Sequence, residues 1–359
     1  MKNSIEFIII GTLALVLTLI FIPIIKKIAV RVNLVDKPNH RKIHATPVPL
    51  IGGISIAITT LIMLIISGNK LTIIKEYLPI LTSGTTLLIV GVIDDKTDLS
   101  AKYKLVIQLL LSSVIAFSGT RITSLYGLLG IYEIATWMQY ALTILVITGV
   151  VNAFNLMDGV DGLVGGLSLL GFSMFLLASI FYNNYFLGKI SVIFIGAIIG
   201  FLKFNLSKKK IFMGDAGSLF LGFILVTLGI QFMEEQQVNQ DYGYAYGFLI
   251  LVAFFSIPVL DSLRVYIGRI KQGKSPFKAD KSHLHHLLLT AGLTHKKISV
   301  FVVLFCMILF FVGFGLISFF STTLIIVAIM LLFWAIVKLL LMISNLHEWR
   351  SIIKRLEQQ

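Results

Sequence analysis

The chain has 359 residues, 57% of them hydrophobic and only 13% charged, where a soluble domain carries roughly a quarter charged residues. With a mean hydropathy of +0.96, that composition excludes a soluble globular protein. A formal net charge of +13 would suit nucleic acid in a soluble chain, but in a membrane protein surplus Lys and Arg report sidedness, so no nucleic-acid partner is expected.

A membrane span needs about 20 mostly apolar residues. By that measure eleven spans are predicted, over 5–25, 50–67, 77–93, 104–119, 136–152, 163–182, 188–205, 217–233, 246–266, 297–318 and 322–344. The first has only Lys2 ahead of it and no small-residue cleavage site, so it reads as a retained helix and not a signal peptide. Alternating the sides leaves all but five of the 30 Lys and Arg (Lys2, Lys70, Lys75, Arg121, Lys189) on one face. The positive-inside rule makes that face cytoplasmic, with the N-terminus outside and the C-terminus inside. The expected fold is therefore an all-α integral membrane protein, one multi-spanning domain over 1–359. Its cytoplasmic loops are 26–49, 94–103, 153–162, 206–216 and 267–296. Cys306, the single cysteine, lies in an apolar stretch and reads as core filler.

Nearly every unusual polar cluster falls in or beside those loops: RKIHATPVPLIGG (41–53), GVIDDKTDLSAKYK (91–104), NAFNLMDGVDG (152–162), IFMGDAGS (211–218) and SPFKADKSHLHHLL (275–288), the outer loops offering only Asn183–Asn184 and the acidic stretch Glu234–Asp241. Loops collect polar residues anyway, but acids at span ends are costly and usually functional. Asp94 and Asp95 close the third span, with Asp98 one turn on; as a helix, 94 and 98 share a face. Adjacent carboxylates repel and call for a cation or a shared proton.

Asn155 and Asp158 stand three apart, with Asp161 beyond, among Gly159, Gly162, Gly165 and Gly166. That set suits Mg²⁺ or a nucleotide, and equally a turn built for backbone reasons. Asp215, between Gly214 and Gly217, fits Mg²⁺, which takes one or two carboxylates and leaves the rest to water and phosphates; a helix cap is the plainer alternative. The run Lys208–Lys210 reads as a sidedness signal.

Asp280 can cap a short helix running to Ala291, stopped by Gly292, with Leu284, Leu287, Leu288 and Ala291 as its apolar stripe. His283 and His286 lie off that stripe near the helix start, where anions bind favourably, and His285 nearer its border. With Lys271, Lys274, Lys278 and Lys281 upstream, the segment reads as a pyrophosphate clamp; zinc lacks a Cys or acid at ligand spacing. Asp261, beside Arg264, is explained by an ion pair. There is no P-loop, kinase signature or Ser–His–Asp set, and the remaining inventory fits phosphoryl-type transfer between a soluble phosphate substrate and a membrane lipid.

Together GVIDDKTDLSAKYKLVIQ, NAFNLMDGVDGL, IFMGDAGSLFLG and SPFKADKSHLHHLL resemble the polyprenyl-phosphate N-acetylhexosamine-1-phosphate transferase superfamily, of the glycosyltransferase family 4 type, from about residue 38 to 290. The resemblance implies transfer of a sugar-1-phosphate from a UDP-N-acetylhexosamine to undecaprenyl phosphate, with release of UMP. It implies Mg²⁺, which Mn²⁺ can replace, on Asp215 and Asn155. It implies catalytic acids Asp94, beside the carrier phosphate, and Asp95; Lys104 neutralising phosphate; Asp158 and Asp161 around the nucleotide; Phe212 stacked on uracil; and a histidine motif of His283, His285 and His286. An inner-membrane enzyme facing the cytoplasm is expected, and a homodimer on this ground alone.

His-Leu-His-His after Ser-Pro-Phe resembles the bacterial enzymes that begin O-antigen, enterobacterial common antigen, teichoic acid or capsule synthesis with UDP-GlcNAc, although Lys281 stands where that branch has Arg. The alternatives are a UDP-MurNAc-pentapeptide transferase, whose motif has three consecutive histidines, and, outside the class, an ion-coupled transporter.

Overall fold

A computed structural model describes residues 2–37, 46–68, 71–238, 244–275 and 282–356. Twelve helices occur among them: α1 Lys2–Arg31, α2 Gly52–Ile66, α3 Leu71–Thr97, α4 Ala101–Phe117, α5 Thr136–Met157, α6 Leu163–Phe181, α7 Tyr185–Asn205, α8 Gly214–Val238, α9 Tyr244–Lys271, α10 Leu284–Thr290, α11 His295–Leu316 and α12 Thr322–Leu356. Each of the eleven predicted spans falls on one helix. Among the described residues, nine of these helices are long and apolar enough to cross a membrane. The other two are short: α2 has 15 residues and α4 has 17, with Lys102 and Lys104 in its first turn.

The all-α expectation needs one addition. Val35–Asp36 (β1) pairs antiparallel with Val48–Pro49 (β2), and Ser124–Leu128 (β3) with Ile131–Glu133 (β4). Hydropathy reading misses strands this short because two to five residues are too few to set a period. The β3–β4 hairpin is tied to the last turns of α8 by the Glu234 carboxylate, which accepts from the backbone N–H and hydroxyl of Thr123 and from the Tyr126 hydroxyl.

Helix α8 is the axis of the bundle and packs against α2, α3, α5, α6 and α9. Its start is approached so closely that neighbouring backbones touch. A Cβ on Gly53 of α2 would lie 2.2 Å from Gly217 Cα, and one on Gly91 of α3 would lie 2.3 Å from Ala216 Cα. Small residues allow such approach between membrane helices, where packing replaces the hydrophobic drive available in water.

Pro258 interrupts α9 and, having no N–H, leaves the carbonyl four residues back without its helical partner. That carbonyl, Phe254 O, accepts from Cys306 Sγ of α11 at 3.3 Å. Cys306 is core filler, as expected, and also supplies the missing donor.

Candidate active site

The site is assembled where α3, α5 and α8 meet. Helix α3 ends at Thr97 because Asp98 turns to φ +55°, so the expected shared face of Asp94 and Asp98 is not realised: Asp98 lies past the helix end. Asp94 closes this turn itself, its Oδ1 accepting from Leu99 N at 2.8 Å. The short turn brings Lys104, in the first turn of α4, back onto α3. Its ammonium lies 2.6 Å from Asp94 Oδ2 and 3.0 Å from Asp215 Oδ2.

Asp95, about 100° around the helix, faces α8. Its carboxylate accepts from Asp215 N at 2.8 Å and from Ala216 N at 3.2 Å. Gly91 makes this reach possible: it lies one turn earlier on the same face of α3 and lets the two backbones meet. The cap of α8 is thus an acid from another helix, and Asp215 sits in the first turn with its carboxylate turned outward.

Asn155, near the end of α5, gives its amide N–H to Ser218 Oγ at 3.0 Å, one turn along α8 from Asp215, so the atom it could lend a cation is its carbonyl oxygen. Asp158 follows as the C-cap. Its carboxyl is pushed well above the usual range, first by burial and then by the charges of Asp215, Asp95 and Asp161. Burial also acts on Asp161, but hydrogen bonding and charge from His295 and Lys210 outweigh it and hold the carboxyl below its usual value. Lys210 Nζ lies 2.8 Å and His295 Nδ1 3.5 Å from Asp161 Oδ2.

Lys210 also stands over the Phe212 ring, 5.1 Å from its centroid. Phe212 is held by backbone pairing: its N–H donates to Pro49 O and its carbonyl accepts from Gly52 N, both at 2.9 Å. The part of 41–53 that the structure describes, from Thr46 on, is thus a brace for the 211–214 loop. Asn205, buried at the end of α7, joins the two remaining loops, accepting from Gly162 N at 2.6 Å and donating to Ile211 O at 2.8 Å.

These elements enclose a cavity of ≈ 640 Å³ whose walls include Asp94, Asp95, Asp158, Asp161, Phe212, Asp215 and His286. Seven of the eleven candidate site residues therefore line one cavity. Lys104 reaches it through its ion pairs, and Asn155 stands behind it. His283 and His285 do not line it; both are buried, and burial pushes His285 down to about 3, aided by His286 and His283.

The histidine helix begins at Leu284 with His283 as N-cap, later than expected. Asp280, Lys278 and Lys281 lie outside the described residues. Sequence reading also missed Asp36, Lys210 and His295 on the cavity wall, the central Asn205, and more in Asp261 than an ion pair. Only the Lys run carried a visible signal, and sidedness explained it sufficiently.

Among the described residues, no three His, Cys, Asp or Glu converge at ligating distance. A hard divalent cation that shares its shell with substrate phosphates needs fewer. The Lys104 ammonium already bridges carboxylate oxygens of Asp94 and Asp215, so the donor set accepts a cation there, with Asn155 of α5 bonded to Ser218, one turn along α8 from Asp215.

A profile of glycosyl transferase family 4 matches residues 77–233, from α3 through α8. The chain is 35% identical over 306 residues to a probable undecaprenyl-phosphate N-acetylglucosaminyl 1-phosphate transferase of Bacillus subtilis, covering 84% of this chain and 82% of that protein. Undecaprenyl-phosphate alpha-N-acetylglucosaminyl 1-phosphate transferases of Yersinia pestis (31% over 304 residues) and Salmonella typhi (32% over 302) each align with 82% of this chain and 80% of their own length.

Proposed function

The chain belongs to glycosyl transferase family 4, and from that premise we propose that it transfers N-acetylglucosamine-1-phosphate from UDP-GlcNAc to undecaprenyl phosphate, releasing UMP. The reaction would be the first membrane step of a cell-envelope polysaccharide, at the cytoplasmic face of the inner membrane. The names of its relatives favour this reading over the MurNAc-pentapeptide branch and over a transporter.

The observation that carries the chemistry is Lys104 between Asp94 and Asp215 at the wall of the acidic cavity. A transfer between two phosphates asks the protein for alignment and charge neutralisation more than for covalent work. Asp94 keeps the carrier phosphate ionised and aimed, so that its oxygen forms a bond to the β-phosphorus of the UDP-sugar while the bond to UMP breaks. Lys104 offsets the charge that gathers on the phosphates. Asp215, with the carbonyl of Asn155, would hold Mg²⁺, which would neutralise the diphosphate and ease departure of UMP. Asp95 keeps Asp215 in place through the α8 cap. Phe212 offers its ring to uracil between Lys210 and Asp161, Asp158 stands beside them, and His286 faces the diphosphate.

The deciding assay is UMP release by the purified protein with undecaprenyl phosphate and UDP-GlcNAc, with and without Mg²⁺, alongside Asp215→Ala. Metal-dependent UMP that vanishes in the variant is the expected result. UDP in its place would mean a different bond is broken, and a trapped phosphoryl-Asp94 or phosphoryl-Asp95 would replace direct attack with a two-step route.

A further inference from the structure

Asp261 is fully buried in α9, yet it belongs to none of the clusters that make the acidic cavity. Its carboxylate is the meeting point of three groups. Oδ1 accepts from Arg264 at 2.6 Å, Oδ2 lies 3.0 Å from His283 Nδ1, and both oxygens are 3.1 Å from Leu284 N. Arg264 also donates to Ser282 O at 2.5 Å. Three consecutive residues, 282, 283 and 284, are therefore fixed by two side chains one helical turn apart on α9.

Two consequences follow from elementary chemistry. A carboxylate only accepts, so the proton between Asp261 and His283 sits on Nδ1, and the buried Nε2, which has no hydrogen-bond partner among the described residues, is the other ring nitrogen. The first N–H of α10 is likewise committed to Asp261 and is not available to a substrate anion, contrary to the expectation for this helix start. The other end of the segment meets the acidic loop: His285 packs so tightly on Gly159 that a Cβ there would lie 2.4 Å from its Nε2. His286 faces the cavity.

We infer that Asp261 is a positioning residue for transfer, acting through the Nδ1–H of His283 to set the register in which α10 presents His286 to the donor diphosphate and seats His285 on Gly159. The inference rests on the function proposed above. His283 is on this account a pin and not a ligand.

The test is steady-state kinetics on the full-length protein in detergent, varying UDP-GlcNAc and undecaprenyl phosphate separately. The His283→Asn amide can reproduce an Nδ1–H donor, whereas His283→Gln reaches where Nε2 stood. His283→Asn keeps kcat/KM for UDP-GlcNAc within about tenfold of the parent and His283→Gln loses about 100-fold, the scale of a small misplacement, with KM for the carrier unmoved. Asp261→Asn shows the same donor-side loss, and the Asp261→Asn/His283→Gln double variant is no worse than His283→Gln alone. A Gln variant better than the Asn variant, additive losses, or a lowered unfolding temperature with unchanged donor kinetics overturns the inference. If Asp261→Asn does not fold, the Asn and Gln pair decides. Histidine ¹⁵N spectra need no turnover: the His283 proton should move from Nδ1 to Nε2 in Asp261→Asn, and an unchanged spectrum overturns the inference. A parent enzyme that releases no UMP overturns the proposed function instead and leaves this spectral comparison intact.

Discussion

Lys104 Nζ stands 3.0 Å from Asp215 Oδ2, one of the two carboxylate oxygens that Asp215 could offer a divalent cation. A metal drawing on that oxygen would compete with the ammonium, which would then be free to pair with phosphate. Lys104→Gln should therefore raise the Mn²⁺ affinity of the substrate-free protein while lowering kcat by about 100-fold or more, the scale of losing one charge-stabilising donor. Titration of Mn²⁺ by electron paramagnetic resonance reads the first effect. Unchanged or weaker Mn²⁺ binding would argue against a shared site.

Gly91 tests how far the site depends on helix packing. A Cβ there meets backbone, Ala216 Cα at 2.3 Å, whereas one on Gly84 of the same helix meets the tip of Ile224 at 2.8 Å. Gly91→Ala should destabilise by about 1–3 kcal/mol, as overpacking does, and lose activity as Asp95 is pulled off the α8 amides. Gly84→Ala should stay near the parent. Thermal unfolding and UMP release separate the two; equal behaviour would refute the packing argument.

Lys210 and His295 give a pH prediction. Burial raises the Asp161 carboxyl, and these two neighbours more than offset it. With the folded value lowered, the pairing stabilises the fold above the ordinary carboxylate range and is lost as pH falls through the lowered value. Lys210→Met removes a main offset and leaves burial, so Asp161 should protonate at higher pH. The KM for UDP-GlcNAc should then begin to rise on the acid side at a higher pH than in the parent. Coincident pH profiles for the two proteins would rule this out.

Cys306 should matter only as a donor. Cys306→Ser keeps a hydrogen bond to Phe254 O, and Cys306→Ala drops it at a cost of about 0.6 kcal/mol, the average for polar contacts between membrane helices. Thermal unfolding in detergent checks the order; Ala at or above Ser would mean the carbonyl freed by Pro258 is satisfied elsewhere.

The spans were legible because hydropathy needs nothing beyond the segment itself, and each predicted run lies on a helix. The cavity was legible to the extent that Asp94, Asp158, Asp215 and His286 sit at helix ends brought to one place. What the sequence hid was partnership at a distance. Asp95 reads as a second catalytic acid, yet both its oxygens accept α8 amides across about 120 residues. Asp280 reads as the cap of the histidine helix, whereas the first N–H of α10 goes to Asp261. Periodicity tells which face of an element is apolar; it is silent on which other element answers its open ends. Asn205 was invisible for the same reason, because its two partners, Gly162 and Ile211, lie in different loops.

Those two borrowed caps share a direction along the chain: Asp95 precedes the helix start at 214, and Asp261 precedes the one at 284. Synthesis runs from the N-terminus, and chains assemble in that order. When the first amides of α8 or α10 leave the ribosome, the carboxylate that will receive them has already been made. Open amides are costly in or near hydrocarbon, so each helix can find its acceptor at once. Had the order been reversed, the open helix start would have been the partner that waited. The arrangement that aligns the active site therefore also suits vectorial biogenesis.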